Sequence, residues 1–295
     1  MASSEIAAAQ RRGTLVGASA LLMWSTLALL ATLANGIPPF QLLFLTFALA
    51  FLLARAWRLV GGAGIAPAAI PRRAWITGVA GLFGYHFLYF MALRAAPPVH
   101  VNLLNYLWPL FVVLFAALLP GERLRWWHAG GALLGLVGAA VLVTHGGTMD
   151  VALADAGGYA LALAGAMTWA AYSVATRRLG DVPTVAVGWF CGVVAALGLL
   201  CHAALESWRW PDATEWLAIA LLGAGPVGIA FFTWDHGVKR GDLRALGALS
   251  YAVPLLGALW LAAAGMAELS LSILAAAALI IGGAALASRD LWGRA

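Results

Sequence analysis

The sequence predicts an all-α integral membrane protein of ten transmembrane helices, arranged as two inverted five-helix halves. Three observations carry this expectation. Of 295 residues, 63% are drawn from AVILMFWYC and only 10% from DEKR, against roughly 25% charged in an average soluble domain. Apolar runs of about 20 residues recur throughout, the length that crosses a hydrocarbon core. Several rare residues also repeat at one fixed offset along the chain. The net charge of +5 does not point to nucleic acid, because the basic residues lie only between apolar runs and form no basic face.

Runs bounded by charge, Pro or Gly place spans at 13–34, 39–60, 74–94, 99–119, 126–144, 156–178, 183–205, 214–237, 243–265 and 268–288. Each is a helix, since a lone strand would leave its backbone unpaired in lipid. Counted by alternate sides, 15 of the 17 Lys and Arg residues fall on one side, leaving Arg94 and Arg209 on the other. The positive-inside rule then places both termini in the cytoplasm. The first run is longer than a signal-peptide core and is kept as a span. Cys191 and Cys201, ten residues apart on one helix, are separated by roughly 15 Å and cannot form a disulfide.

Shifting the chain by 145 residues superposes Trp24 on Trp169, Pro38 on Pro183, Tyr106 on Tyr251 and Pro109 on Pro254. Coincidences of rare residue types in one register mark a duplication, with units at 13–144 and 156–288. Five is odd, so the second unit lies upside down relative to the first. That arrangement puts a binding site near the bilayer midplane, between halves that rock.

Of the 14 Trp residues, nine lie near span ends and read as an interfacial belt: Trp57, Trp75, Trp126, Trp127, Trp208, Trp210, Trp216, Trp234 and Trp292. Trp189 and Trp260 read as helix packing, whereas Trp24 and Trp169 read as cavity lining and Trp108 lies along the margin of a polar face on span four. On span three, Leu82, Tyr85, His86 and Tyr89 share one helix face. Asn102 and Tyr106 form a second such face on span four, with Asn105 at its edge, and Trp169, Tyr172 and Ser173 form a third on span six. Polar side chains on intramembrane helices avoid lipid, so these faces are expected to point inward; tying the bundle together by hydrogen bonds is the plainer alternative. Pro109 and Pro254 are expected to kink their helices and free the carbonyls of Asn105 and Ser250. Gly225 and Pro226, with Gly223 and Gly228, loosen span eight. The pairs Gly131/Gly135 and Gly188/Gly192 read as close packing within one chain, in keeping with a monomer. No Asp or Glu falls at mid-span, which leaves His86 as the deep ionisable group. No metal-ligand spacing, phosphate loop or nucleophile motif is present, and neither a cofactor nor a catalytic site is expected.

The stretch Tyr89-Phe-Met-Ala-Leu-Arg94, followed by Ala95-Ala-Pro-Pro-Val-His100, Tyr106-Leu-Trp-Pro109 and Pro120-Gly-Glu122-Arg-Leu, resembles the EamA-type repeat of the drug/metabolite transporter superfamily. A second copy runs from Trp234-Asp-His-Gly-Val-Lys239 through Tyr251-Ala-Val-Pro254 to Met266-Ala-Glu268. It lacks the Gly before Glu268 and shifts that Glu by one residue. Within the superfamily, the density of Trp and Tyr at mid-span is most similar to the YddG-type exporters of aromatic amino acids. The resemblance implies a secondary transporter, not an enzyme, whose partners are the lipid bilayer and a small amphipathic molecule. The candidate substrate-binding residues are Trp24, Tyr85, His86, Tyr89, Asn102, Tyr106, Trp108, Trp169, Tyr172, Ser250 and Tyr251, with Pro109, Pro254, Gly225 and Pro226 as hinges. Another amphipathic metabolite or drug is the competing substrate, and a receptor without flux the more distant reading. A pocket of rings with a few polar tips suits a flat aromatic ring with a zwitterionic end. It should bind at about 0.1 to 1 mM, loosely enough to release, and discriminate little among Phe, Tyr and Trp.

Overall fold

In the computed structural model, which describes residues 2–119, 124–144, 153–266, 271–287 and 289, the long elements are all helices. Glu122, Glu268 and Trp292 lie outside the described residues. The helices are α1 (Ala2–Ser25), α2 (Leu27–Leu33), α3 (Pro39–Leu59), α4 (Arg72–Ala95), α5 (Pro98–Asn105), α6 (Trp108–Ala116), α7 (Trp126–Val143), α8 (Ala156–Arg177), α9 (Val187–Leu205), α10 (Ala213–Ala224), α11 (Ala230–Arg240), α12 (Leu243–Leu249), α13 (Ala252–Ala263) and α14 (Leu271–Ala287). Among the described residues, seven stretches are long and apolar enough to cross a membrane: Glu5–Leu33, Pro39–Leu59, Arg72–Ala95, Pro98–Ala116, Thr184–Leu205, Ala213–Arg240 and Leu243–Ala263. The chain is a multi-pass membrane protein. Its outer surface agrees, since Leu15, Leu22, Leu200, Leu274 and Ile281 are exposed in a protein whose surroundings are themselves apolar.

Four of the long stretches are interrupted: α1 and α2 part at Thr26, and the other three breaks lie at a proline. Proline has no N–H to donate and crowds the carbonyl four residues back. Accordingly α5 and α6 part at Tyr106–Leu107, ahead of Pro109, and α12 and α13 part at Ser250–Tyr251, ahead of Pro254. The backbone is nearly the same at both breaks: φ −66°, ψ 2° at Tyr106 and φ −67°, ψ −13° at Tyr251. Between α10 and α11, Pro226 sits in a single π-turn, Gly225–Ile229. The other rare repeat pair, Pro38 and Pro183, also has matching geometry, with φ −54°, ψ 139° and φ −59°, ψ 137°. Each proline leads its chain into the next helix.

Packing between the two halves follows four helix pairs: α1 with α11, α4 with α8, α3 with α9, and α7 with α14. Small residues permit the close approach. A Cβ on Gly13 would lie 2.7 Å from the carbonyl carbon of Arg240, and one on Gly158 would lie 2.8 Å from that of Ala95. Gly188 meets Ala54 and Gly192 meets Phe51 across α3 and α9, while Gly131 and Gly283 touch across α7 and α14. Both small-residue pairs singled out in the sequence therefore serve contacts within the chain. Cys191 and Cys201 are free thiols.

The bundle has two recognisable ends. At one, here the near end, Arg177 donates to the carbonyls of Val238 and Gly241, Thr14 Oγ1 accepts from Asp242 N, and Arg73 pairs with Asp181 at 2.6 Å. At the far end, Glu206 caps α3 by accepting from Phe40 N at 3.0 Å and Gln41 N at 3.1 Å. There His202 Nδ1 holds the same carboxylate at 2.9 Å, and Asp212 and Glu215 form a reciprocal capping box on α10.

Candidate functional site

Four tryptophans from four helices meet in the middle of the bundle: Trp24 (α1), Trp108 (α6), Trp169 (α8) and Trp234 (α11). Every pair among them is in ring contact, from 5.1 Å for Trp24–Trp234 to 6.5 Å for Trp24–Trp108. Most cross edge to face, which sets the positive edge of one ring on the negative face of the next. Phe231 closes the group against Trp24 and Trp169 and stacks toward Phe47 at 5.5 Å. Two of the indole N–H groups are committed, that of Trp24 to the carbonyl of Pro226 at 2.9 Å and that of Trp234 to Ser173 Oγ at 3.1 Å. The first uses a carbonyl of the π-turn, where the regular ladder is disturbed. Trp169 Nε1 is buried without a hydrogen-bond partner, a free donor in an apolar setting.

Tyr85, His86 and Tyr89 on α4 lie beside this group and are half-buried. Tyr85 joins the two sets, with its ring 5.2 Å from Trp169 and 5.0 Å from His86. Tyr89 donates its hydroxyl to Asn102 Oδ1 at 2.6 Å, and Asn105 Nδ2 donates to the Tyr85 hydroxyl at 3.2 Å. Asn105 Oδ1 is buried without a partner. His86 Nδ1 contacts the Leu82 carbonyl at 2.7 Å. A carbonyl only accepts, so Nδ1 carries the proton and the neutral ring presents Nε2 as an acceptor. One small volume thus contains ring faces, a free indole donor and acceptor atoms of His and Asn. That is chemistry for binding an aromatic zwitterion, and it includes no nucleophile paired with a base.

The structure brings Trp24, Trp108 and Trp169 together with Tyr85, His86, Tyr89 and Asn102. Tyr172 packs behind Trp169 at 5.3 Å, buried against α4 where Gly81 makes room for it. Tyr106 is partly buried at the α5–α6 break, packed toward a second apolar cluster. Ser250 and Tyr251 are not brought to the site. The Ser250 hydroxyl donates to Leu246 O at 2.7 Å, and its carbonyl accepts from Val253 N at 3.1 Å, so the oxygen expected to be free is occupied. Tyr251 is fully buried in the second cluster with Leu110, Val113 and Ala132. Trp260 is half out of the protein and donates to Ser25 Oγ at 2.9 Å. Trp189 donates to Ile65 O at 2.9 Å beneath the Arg55 guanidinium.

Sequence reasoning missed two features. Trp234, assigned to the interfacial belt, is fully buried in the central group. Trp57, Trp126, Trp208, Trp210 and Trp216 are exposed and Trp75 and Trp127 half-buried. Asp235, the next residue along α11, is also buried and pairs with Lys239 at 2.8 Å, the two side chains being 4% and 5% exposed. A helix that runs three residues beyond the expected span end places this carboxylate inside the bundle. The i, i+4 spacing of Asp and Lys was the available signal.

The EamA-like transporter family model matches residues 11–144 and again 156–289. An aromatic amino acid exporter YddG from Ancylobacter novellus is 50% identical over 276 residues, covering 93% of this chain and 96% of that protein. A second protein of that name, from Escherichia coli K12, is 27% identical over 94% of this chain and 97% of its own length. A solved crystal structure superposes with a TM-score of 0.90 at 50% identity, covering 95% of this chain and 99% of the other. On the match to both halves and the half-identical relative, the chain belongs to the EamA-like transporter family.

Proposed function

We propose that the protein is a bacterial inner-membrane secondary transporter that exports aromatic amino acids from the cytoplasm by alternating access. The observation that carries the reading is the junction at Trp169, where the buried Trp group meets the half-buried Tyr85–His86–Tyr89 face. The names of its relatives support the same substrate class. An aromatic side chain would lie against the rings, each contact contributing about 0.5–1.5 kcal/mol beyond burial. The ammonium would donate to His86 Nε2 or Asn105 Oδ1, and the carboxylate would accept the free Trp169 N–H.

The topology proposed is ten spans, with α7, α8 and α14 added to the seven long apolar stretches, as two inverted halves with both termini cytoplasmic. Support comes from the packing. A shift of 145 residues carries the α1–α11 pair onto α8–α4 and carries α3–α9 and α7–α14 onto themselves. That is the pattern of a two-fold axis lying between the halves. With this topology the near end faces the cytoplasm, and Gly13–Arg240 and Gly158–Ala95 are equivalent seals on opposite sides of the site. Alternating access then amounts to loosening one seal while the other holds.

Counterflow of labelled phenylalanine in vesicles made with the purified protein tests the proposal. Accumulation driven by unlabelled phenylalanine, tyrosine or tryptophan is expected. Counterflow supported by none of these, but by other amphipathic metabolites, would assign a different cargo to the same scaffold.

A further inference from the structure

The near end holds a cleft of about 230 Å³, lined by residues 180–184 and by His236, Lys239 and Arg240 of α11. Its wall is built on a buried ion pair. Asp235 Oδ2 accepts from Lys239 Nζ at 2.8 Å and from Thr184 Oγ1 at 2.6 Å, and Lys239 Nζ also donates to the Val182 carbonyl at 2.9 Å. An ammonium has three N–H donors, so one remains uncommitted, on a residue that lines the cleft. Asp235 Oδ1 likewise takes no hydrogen bond from the described residues. The carboxylate that lines the cleft, Asp181, is paired with Arg73 at 2.6 Å. The cleft therefore presents a cationic donor with one N–H uncommitted among the described residues, flanked by Arg240 and His236, while Asp235 lies buried behind it.

The duplication shows that the fold does not require this pair. The positions 145 residues earlier are Phe90 and Arg94, and Phe90 packs against Phe40 at 5.6 Å and His86 at 6.1 Å. An apolar ring thus fills the equivalent place in the other half. Burying an ion pair costs desolvation that its attraction at best roughly repays, so such a pair is weak evidence of a stability device. A charged pair kept in one half and replaced in the other points to a task specific to the near end.

Resting on the export reading above, we infer that this cleft is a cytoplasmic loading site for the carboxylate end of the amino acid substrate. The substrate carboxylate accepts the third Lys239 N–H, beside the Arg240 guanidinium at the rim. Docking there draws Lys239 Nζ toward the ligand and strains its bond to the Val182 carbonyl, which ties α11 to the α8–α9 connection. A ligand in the cleft loosens the last turn of a helix whose opposite face carries Trp234. The site and the central ring group are then successive stations along α11.

The test is local protection of a cysteine on the cleft rim. In the full chain in nanodiscs, with Cys201→Ala to leave only the buried Cys191, Gly180→Cys is modified by a charged maleimide with and without phenylalanine. Phenylalanine is expected to slow modification at least fivefold, while phenylalanine amide, which lacks the carboxylate, leaves the rate within twofold. Protection is expected to vanish in Asp235→Asn/Lys239→Gln, a pair of near-isosteric changes that leaves no buried charge unpaired, and to weaken about threefold in Arg240→Gln, at an exposed rim position. It should survive in His86→Leu, which alters only the central group. Absence of protection in the parent, equal protection by the amide, or protection that outlasts both cleft variants would overturn the inference. Failure of the export reading looks different: protection stands but phenylalanine counterflow is absent.

Discussion

Gly13 and Gly158 are equivalent by the repeat, and each sits where a Cβ has no room. On Gly13 it would fall 2.7 Å from Arg240 C, 2.8 Å from Gly241 N and 2.9 Å from Arg240 O, all backbone atoms that cannot turn aside. Carbon atoms in contact prefer about 3.5–4.0 Å, so Gly13→Ala must push α1 from α11 by roughly 1 Å. Overpacking of this kind costs about 1–3 kcal/mol. The cost falls only on the conformation in which the near end is closed. Alanine's better helix propensity acts on both conformations and cancels between them. The equilibrium should therefore move by about 5- to 150-fold toward near-end opening. Gly158→Ala should do the reverse, because its Cβ would lie 2.8 Å from Ala95 C at the far end. Cysteines at Ala20 and Ala166, both fully buried and one turn from Trp24 and Trp169 respectively, report the two openings by maleimide labelling of solubilised protein. Faster labelling at position 20 with Gly13→Ala, and at position 166 with Gly158→Ala, is expected. If both glycine variants accelerate the same reporter, or neither moves either one, the paired seals do not exist as described.

Other substitutions separate binding from scaffolding. His86→Leu removes the Nε2 acceptor and should raise the KM for phenylalanine counterflow about tenfold; an unchanged KM at every pH tested would remove His86 from the site. Trp24→Phe abolishes the bond to Pro226 O, a loss of about 0.5–1.5 kcal/mol, read as a lowered melting temperature. Glu206→Gln weakens the cap on α3 and the bond from His202, which should cost about 1–2 kcal/mol of stability while leaving the KM unchanged; a KM shift without a change in melting would contradict a purely structural role. In competition assays phenylalanine, tyrosine and tryptophan should compete within about tenfold of one another, since stacking rejects close analogues poorly.

Much of the fold was legible because its strongest constraints are local. Proline's missing N–H acts on its own helix whatever surrounds it, so the breaks before Pro109 and Pro254 follow from two residues and the fixed offset. The central Trp24–Trp169 contact was also within reach, because equivalent residues near a two-fold axis approach one another. Trp234 was not legible, for a reason of bookkeeping along the helix. Depth was judged from distance to an apparent span end, and the helix continues to Arg240. The indole therefore lies deeper than its place in the sequence suggests, and it takes Asp235 inward with it.

Tyr251 shows a different limit, since repeat mates share a backbone without sharing a neighbourhood. A Cβ on Gly135 would lie 2.5 Å from the Tyr251 ring, so the bare glycine of α7 is what admits that ring into the second cluster. The position equivalent to Gly135 is Ile280, fully buried, whose side chain leaves no matching recess. Tyr106 consequently stays partly accessible beside Tyr85 while Tyr251 disappears into the core. One glycine, 116 residues away in sequence, decides which of two equivalent tyrosines remains near the site. The same asymmetry separates Phe90 from Asp235. Duplication supplies two equivalent frames, and the substitutions that break their equivalence mark where each end of the bundle has its own work.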